Sequence, residues 1–164
     1  MSEQFTTMFR DEHRQVRDAL LELVDAFTAR DAEAARSLLG HIAELTGPHF
    51  RYEEEMMYPL LVQIFGAEYI DSLIDDHDVA IAGSRRLVEL VEGSYDPAEI
   101  EEAHRVIRKI LPHVSDCDGL SIMVEKLRDD EVDAIFAKRD ETLAAGLDLL
   151  TWDSTVRTRP VLAA

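Results

Sequence analysis

His49-Phe50-Arg51-Tyr52-Glu53-Glu54-Glu55-Met56-Met57-Tyr58-Pro59 is the stretch on which the reading of this chain turns. It lies within a run of apolar residues, Leu38, Ile42, Leu45, Met56 and Leu60, that marks the buried face of a helical segment. His49 falls four residues after Leu45, where an apolar side chain is expected, and Glu53 falls four residues after His49 on the same face. A buried histidine is commonly a core residue satisfied by a hydrogen bond. A buried carboxylate without a donor or a cation is costly. The pair therefore asks for partners from elsewhere in the chain.

On the N-terminal side, Phe5, Phe9, Val16, Leu20, Leu23 and Phe27 predict a first helix over about residues 6–29, and Asp31 is placed to cap the second. Gly47 and Pro48 predict a kink or a split in that second helix, and Pro59 a further bend. Beyond Gly66, a third stripe runs through Ile70, Leu73, Ile81, Leu87 and Val91 and stops at Gly93. Asp96 as cap, Pro97 in the first turn and Glu99 reaching back open a fourth helix, whose stripe is Ile100, Ala103, Ile107, Ile110 and Val114. Pro112 is expected to distort it just before His113. A further helix is expected over residues 131–149, with residues 151–164 a tail packing through Trp152. Amphipathic helices with short connections and no strand-like alternation predict an all-α antiparallel four-helix bundle with an additional C-terminal helix and tail, residues 1–150 forming the metal-binding domain.

Each of the four main helices places one histidine on its buried stripe. His13 lies between Phe9 and Val16, His49 follows Leu45, His77 stands between Leu73 and Ile81, and His113 follows Ile110. Asp118 is five residues beyond His113, a spacing that turns both inward only in a widened helix, which Pro112 or Gly119 would help to produce. Imidazoles sharing carboxylates suit iron or manganese, and also zinc. His41 and His104 fit no ligand position. Glu101 with His104 makes one Glu-x-x-His pair, where ferritin-like di-iron bundles need two. Glu54 and Glu55 are ordinarily solvated, though either can support a ligand histidine from behind. Cys117 is ordinarily a small buried hydrophobe, with oxidation sensing as its functional alternative.

Composition removes other classes. Thirty-four acidic against seventeen basic residues, a net charge of −17, would repel nucleic acid and anionic membranes. No apolar run has the length of a membrane span, and the N-terminal residues lack a basic leader with an apolar core, which predicts a cytoplasmic protein. The single cysteine, Cys117, can make neither an internal disulfide nor a thiolate-rich zinc site.

The stretch from His49 to Pro59 resembles the signature of the hemerythrin-like (HHE cation-binding) family: histidine, phenylalanine, two variable residues, paired glutamates and a following Tyr-Pro. Asp-Glu-His-Arg around His13, Asp-Asp-His-Asp around His77, and His113 with Asp118 occur in the family's order, so the resemblance spans about residues 10–120. It implies two iron ions bridged by Glu53 and Asp118, with His13 and His49 on one and His77 and His113 on the other. The chain departs from the oxygen-carrying members on the third helix, where a second histidine four residues from the first is replaced by Leu73 or Ile81. Tyr58 is the candidate for the missing position, pointing inward only if the helix bulges between it and Glu53.

A centre with open coordination positions favours reaction with oxygen or hydrogen peroxide over reversible oxygen carriage. Two alternatives stand beside this expectation: binding, sensing or buffering of oxygen, nitric oxide or iron without turnover, and a structural site for a single metal ion. The sequence leaves enzyme against binder open.

Overall fold

The computed structural model describes residues 2–160, with side chains from 3 to 117 and from 119 to 160. Among these residues there are helices and turns and no strand. The long helices are α1 (Ser2–Ala29), α2 (Ala32–Tyr52), α4 (Ala67–Val91) and α5 (Pro97–Asp118), with the short α3 (Tyr58–Phe65) between α2 and α4. Then come α6 (Leu120–Met123), a 3-10 turn, α7 (Asp129–Ala145) and α8 (Leu149–Thr155). Helix α1 packs against α2 and α5, and α4 closes the ring by packing against α5 and α2, while α7 and α8 lie against α2.

The caps work largely as their residue types dictate. Asp31 accepts from the Ala34 amide at 3.0 Å, and Asp96 accepts from Ala98 and Glu99 at 2.8 and 3.0 Å. Glu99 reaches past the cap residue, to the Ser94 amide at 2.8 Å. Of the two outcomes expected at Pro48, the split does not occur: α2 runs through it as one helix to Tyr52. Pro112 likewise leaves α5 unbroken. The distortion falls instead at Glu53–Met57, a π turn in which the Tyr58 amide bonds the Glu53 carbonyl five residues back. Pro59, early in α3, accounts for its place, because a proline ring clashes with the carbonyl four residues before it and a widened turn relieves that clash.

The last expected helix ends four residues early, at Ala145, where Gly146 takes a left-handed conformation with φ 61°. The segment read as a tail begins inside α8, whose Leu149 and Trp152 are buried as the expected packing through Trp152 requires. The turn from α7 to α8 crosses α2 at Gly47, where a Cβ would stand 2.3 Å from the Leu147 carbonyl oxygen. The Thr142 hydroxyl bonds the Pro48 carbonyl beside it at 3.1 Å. Gly47→Ala is expected to push this turn off α2 and to lower stability by about 1–3 kcal/mol, with urea unfolding as the measurement.

The apolar core falls into two clusters, and the break between them positions the site. Along α1, Phe5 and Phe9 belong to one cluster and Val16, Leu20 and Leu23 to the other, with His13 between. Along α4, Leu73 and Ile74 belong to the first and Ala80 and Ile81 to the second, with His77 between. A polar layer thus crosses the bundle.

Candidate metal centre

The layer is assembled from side chains on α1, α2, the π turn, α4 and α5. His13, His49, His77 and His113 are all buried, and Glu53 is fully so. The rings pair: the centroids of His13 and His49 are 4.6 Å apart, and those of His77 and His113 are 4.7 Å apart. Glu53 lies between the pairs, with Oε1 3.5 Å from His49 Nε2 and Oε2 3.1 Å from His77 Nε2. Neither contact is aligned as a hydrogen bond, so both Glu53 oxygens and His49 Nε2 are buried with no hydrogen-bond partner. Two groups of candidate ligand atoms share this carboxylate: Glu53 with His77 and His113, and Glu53 with His13 and Cys117, the atoms of each group lying within 4.8 Å of one another.

Three of the rings are held from outside by a hydrogen bond through Nδ1, and the fourth has a carboxylate near it. His13 meets the Phe9 carbonyl at 2.9 Å, His49 meets Glu12 Oε2 at 2.8 Å, His77 meets Glu54 Oε1 at 2.8 Å, and His113 lies 3.5 Å from Asp76 Oδ2. Outward use of Nδ1 leaves Nε2 for the centre, the arrangement that orients metal-binding imidazoles. Phe50 stacks on His77 at 3.8 Å with the planes 5° apart, fixing the ring from one side.

The π turn brings Tyr58 into the layer. The extra residue lets Glu53 and Tyr58 both face inward although five residues apart, and Tyr58 is fully buried. Its hydroxyl lies 3.2 Å from His77 Nε2 and 3.5 Å from Cys117 Sγ, which in turn lies 3.4 Å from His113 Nε2.

The electrostatics are those of a site crowded with mutually dependent charges. Burial opposes a charge on His49, yet the Glu53 and Glu12 carboxylates raise its pKa from 6.5 to about 10. His77 is raised by Glu53 and Glu54 in the same way. Burial and the neighbouring positive charge of His77 push His113 down to about 3. Glu53 is held well below the usual carboxylate range by His49 and His77 in spite of its burial. Burial drives the Tyr58 hydroxyl and the Cys117 thiol well up. Protons on the imidazoles and a cation between them thus meet the same demand from Glu53.

Of the residues singled out in the sequence, His13, His49, Glu53, His77, His113 and Tyr58 come together here, with Cys117 against them and Glu54 behind His77. The Asp118 side chain lies outside the described residues. Glu55 pairs with Arg51 and Lys138 away from the layer, and His104 lies 3.2 Å from the Thr28 hydroxyl. Sequence reasoning missed Glu12, Asp76, Arg139 and Arg157. Glu12 adjoins His13 in the chain but serves His49 across the α1–α2 contact, a pairing that no local spacing encodes.

Beside the centre is an almost wholly apolar cavity of about 30 Å³, lined by Val16, Leu20, Ile42, Ile110 and Val114 and reaching His13, His49 and His113.

Four buried imidazoles around one shared buried carboxylate, in an all-helical frame, define a cation-binding helical protein. The Hemerythrin HHE cation binding domain matches residues 4–120, and the chain belongs to that family. No match is found among curated proteins or solved structures. No helix among the described residues is long and apolar enough to cross a membrane.

Proposed function

We propose that the chain is a non-heme iron protein holding two ions with Glu53 between them, and that it reacts with oxygen or hydrogen peroxide. The observation that carries this reading is the Glu53 carboxylate, fully buried, lacking a hydrogen-bond partner on either oxygen, and facing His49 with one oxygen and His77 with the other. A carboxylate so placed needs positive charge on both sides. His13 and His49 would hold one ion and His77 and His113 the other, with Asp118 as a second bridging carboxylate and Tyr58 and Cys117 as further donors. We read the ring of α1, α2, α4 and α5 as an antiparallel four-helix bundle contributing one histidine from each helix, in a cytoplasmic protein.

The donor set suits iron, and accepts manganese or zinc. Bound iron supplies the redox chemistry. The chain supplies the rest: Glu12 and Glu54 orient His49 and His77, Phe50 fixes the His77 ring, and the two apolar clusters keep water from the layer. Elemental analysis of protein purified with iron available is expected to find about two iron ions per chain, with an absorption spectrum that changes on adding peroxide. Zinc alone, or no metal after careful loading, would sink the redox reading.

A second reading, binding of oxygen or nitric oxide without turnover, is favoured by the apolar cavity. Its volume of about 30 Å³ suits one small molecule, and its lining offers almost no hydrogen bonds to replace those that peroxide would leave in water. Oxygen release from added peroxide separates the two: catalytic release supports the first, and a spectral change that reverses on removing gas, without release, supports the second.

A further inference from the structure

Past residue 120, where the family match ends, the chain returns two arginines to this centre. Arg139, on α7, donates to Glu12 Oε1 at 2.7 Å, while Glu12 Oε2 meets His49 Nδ1 and accepts from the Tyr52 hydroxyl, both at 2.8 Å. Arg157, just beyond α8, donates from Nε to Glu54 Oε2 at 3.0 Å and from Nη2 to Glu54 Oε1 at 2.8 Å, while Glu54 Oε1 meets His77 Nδ1 at 2.8 Å. The two chains of contact stand on opposite sides of Glu53, one behind each histidine that faces it.

These are not ordinary surface ion pairs. The side chains of Glu54 and Arg157 are 1% and 8% exposed, so their fork-to-fork contact is shielded from water. Arg157 is itself held, by Asp78 at 2.6 Å, by Asp153 at 3.2 Å and over the Trp152 ring at 5.5 Å. A side chain so fixed fixes the carboxylate it grips, and the carboxylate fixes the plane and tautomer of the imidazole. His13, by contrast, turns Nδ1 to a backbone carbonyl of its own helix.

We propose that Arg139 and Arg157 are positioning residues of the metal centre, acting through Glu12 on His49 and through Glu54 on His77. The inference rests on the reading of these histidines as metal ligands. The segment from α7 to Arg157 is then a working part of the centre, and cation affinity depends on its docking.

The test is a titration of the full chain with Co²⁺, followed by absorption, for the wild type, R157Q, E54Q, the double variant and R157K, with thermal unfolding of each. R157Q and E54Q are each expected to weaken Co²⁺ binding about 10- to 100-fold, and the double variant no further than the weaker single one. R157K is expected to restore only part of the affinity, because a point charge cannot span both carboxylate oxygens. Should R157Q fail to fold, R139Q and E12Q make the same comparison on the other side. Wild-type affinity in a folded R157Q, or losses that multiply in the double variant, overturns the proposal. A wild type that binds no Co²⁺ or iron overturns the metal-centre reading itself, a distinct result.

Discussion

Glu53→Gln is expected to abolish tight metal binding while leaving the helices folded. The amide keeps the shape of the carboxylate but supplies no negative charge between the two histidine pairs, so the affinity for iron should fall by more than about 100-fold. The fold should survive because His49 owes its raised pKa largely to Glu53, and once that charge is gone the ring can shed its proton instead of remaining an unpaired buried cation. Iron content after loading, read beside far-ultraviolet circular dichroism of the chelated protein, checks both halves. A variant that loads iron like the wild type would remove Glu53 from the centre; one that unfolds would make the residue structural.

The chelated protein is expected to lose stability as pH rises from neutrality toward 10, and the metal-loaded protein to resist that loss. His49 is raised from 6.5 to about 10 in the folded chain, so its contribution is complete below pH 6.5 and disappears as pH climbs through 10. Glu12 works from the other end. Burial alone would raise its carboxyl, but the hydrogen bond from His49 and the charges of His49 and Arg139 bring it from 4.5 to about 2, so its contribution is complete above pH 4.5 and is lost toward pH 2. His113, pushed down to about 3, costs stability as pH falls from 6.5 toward 3, so the three groups together place the greatest stability of the chelated protein near pH 6.5, with a decline of a few kcal/mol on the alkaline side. With His49 as a ligand, as proposed, a cation would take the place of its proton, so binding should release protons and tighten with pH over the same range. Thermal melts of chelated and loaded protein from pH 5 to 10 distinguish the cases, and parallel curves would rule the linkage out.

The layer itself was legible because each of its four histidines stands where an apolar residue belongs, a local signal that needs only helical periodicity. Tyr58 was legible conditionally: five residues from Glu53 demanded a bulge, and the π turn supplies one. The same logic applied to His113 and Asp118 predicted a widened α5, but that helix stays regular and puts Cys117, four residues from His113, against the imidazole. The split that Pro48 allowed does not occur because tertiary packing overrides a local propensity: Thr142 and the turn after α7 bury the Pro48 segment against α2. The outer partners were not legible at all. Glu12, Arg139 and Arg157 reach their targets across 37, 127 and 103 positions of sequence, and nothing local marks them among the many charged residues of an acidic chain.

The five-residue turn at Glu53–Met57 also acts as a phase shifter. One residue in excess of a regular helix rotates everything downstream by about 100° relative to everything upstream. Helix α2 is therefore set in one angular frame, with His49 and Glu53 aimed at the layer, and α3 in another, with Tyr58 and Leu61 aimed at the core. Straightening the turn with every residue kept would swing Tyr58 and Leu61 about a quarter turn off the core, whereas deleting Met56 would set Tyr58 four residues after Glu53 and hold both on one face of a regular helix. The composition of the centre on its tyrosine side is thus encoded in a residue count as much as in residue identity.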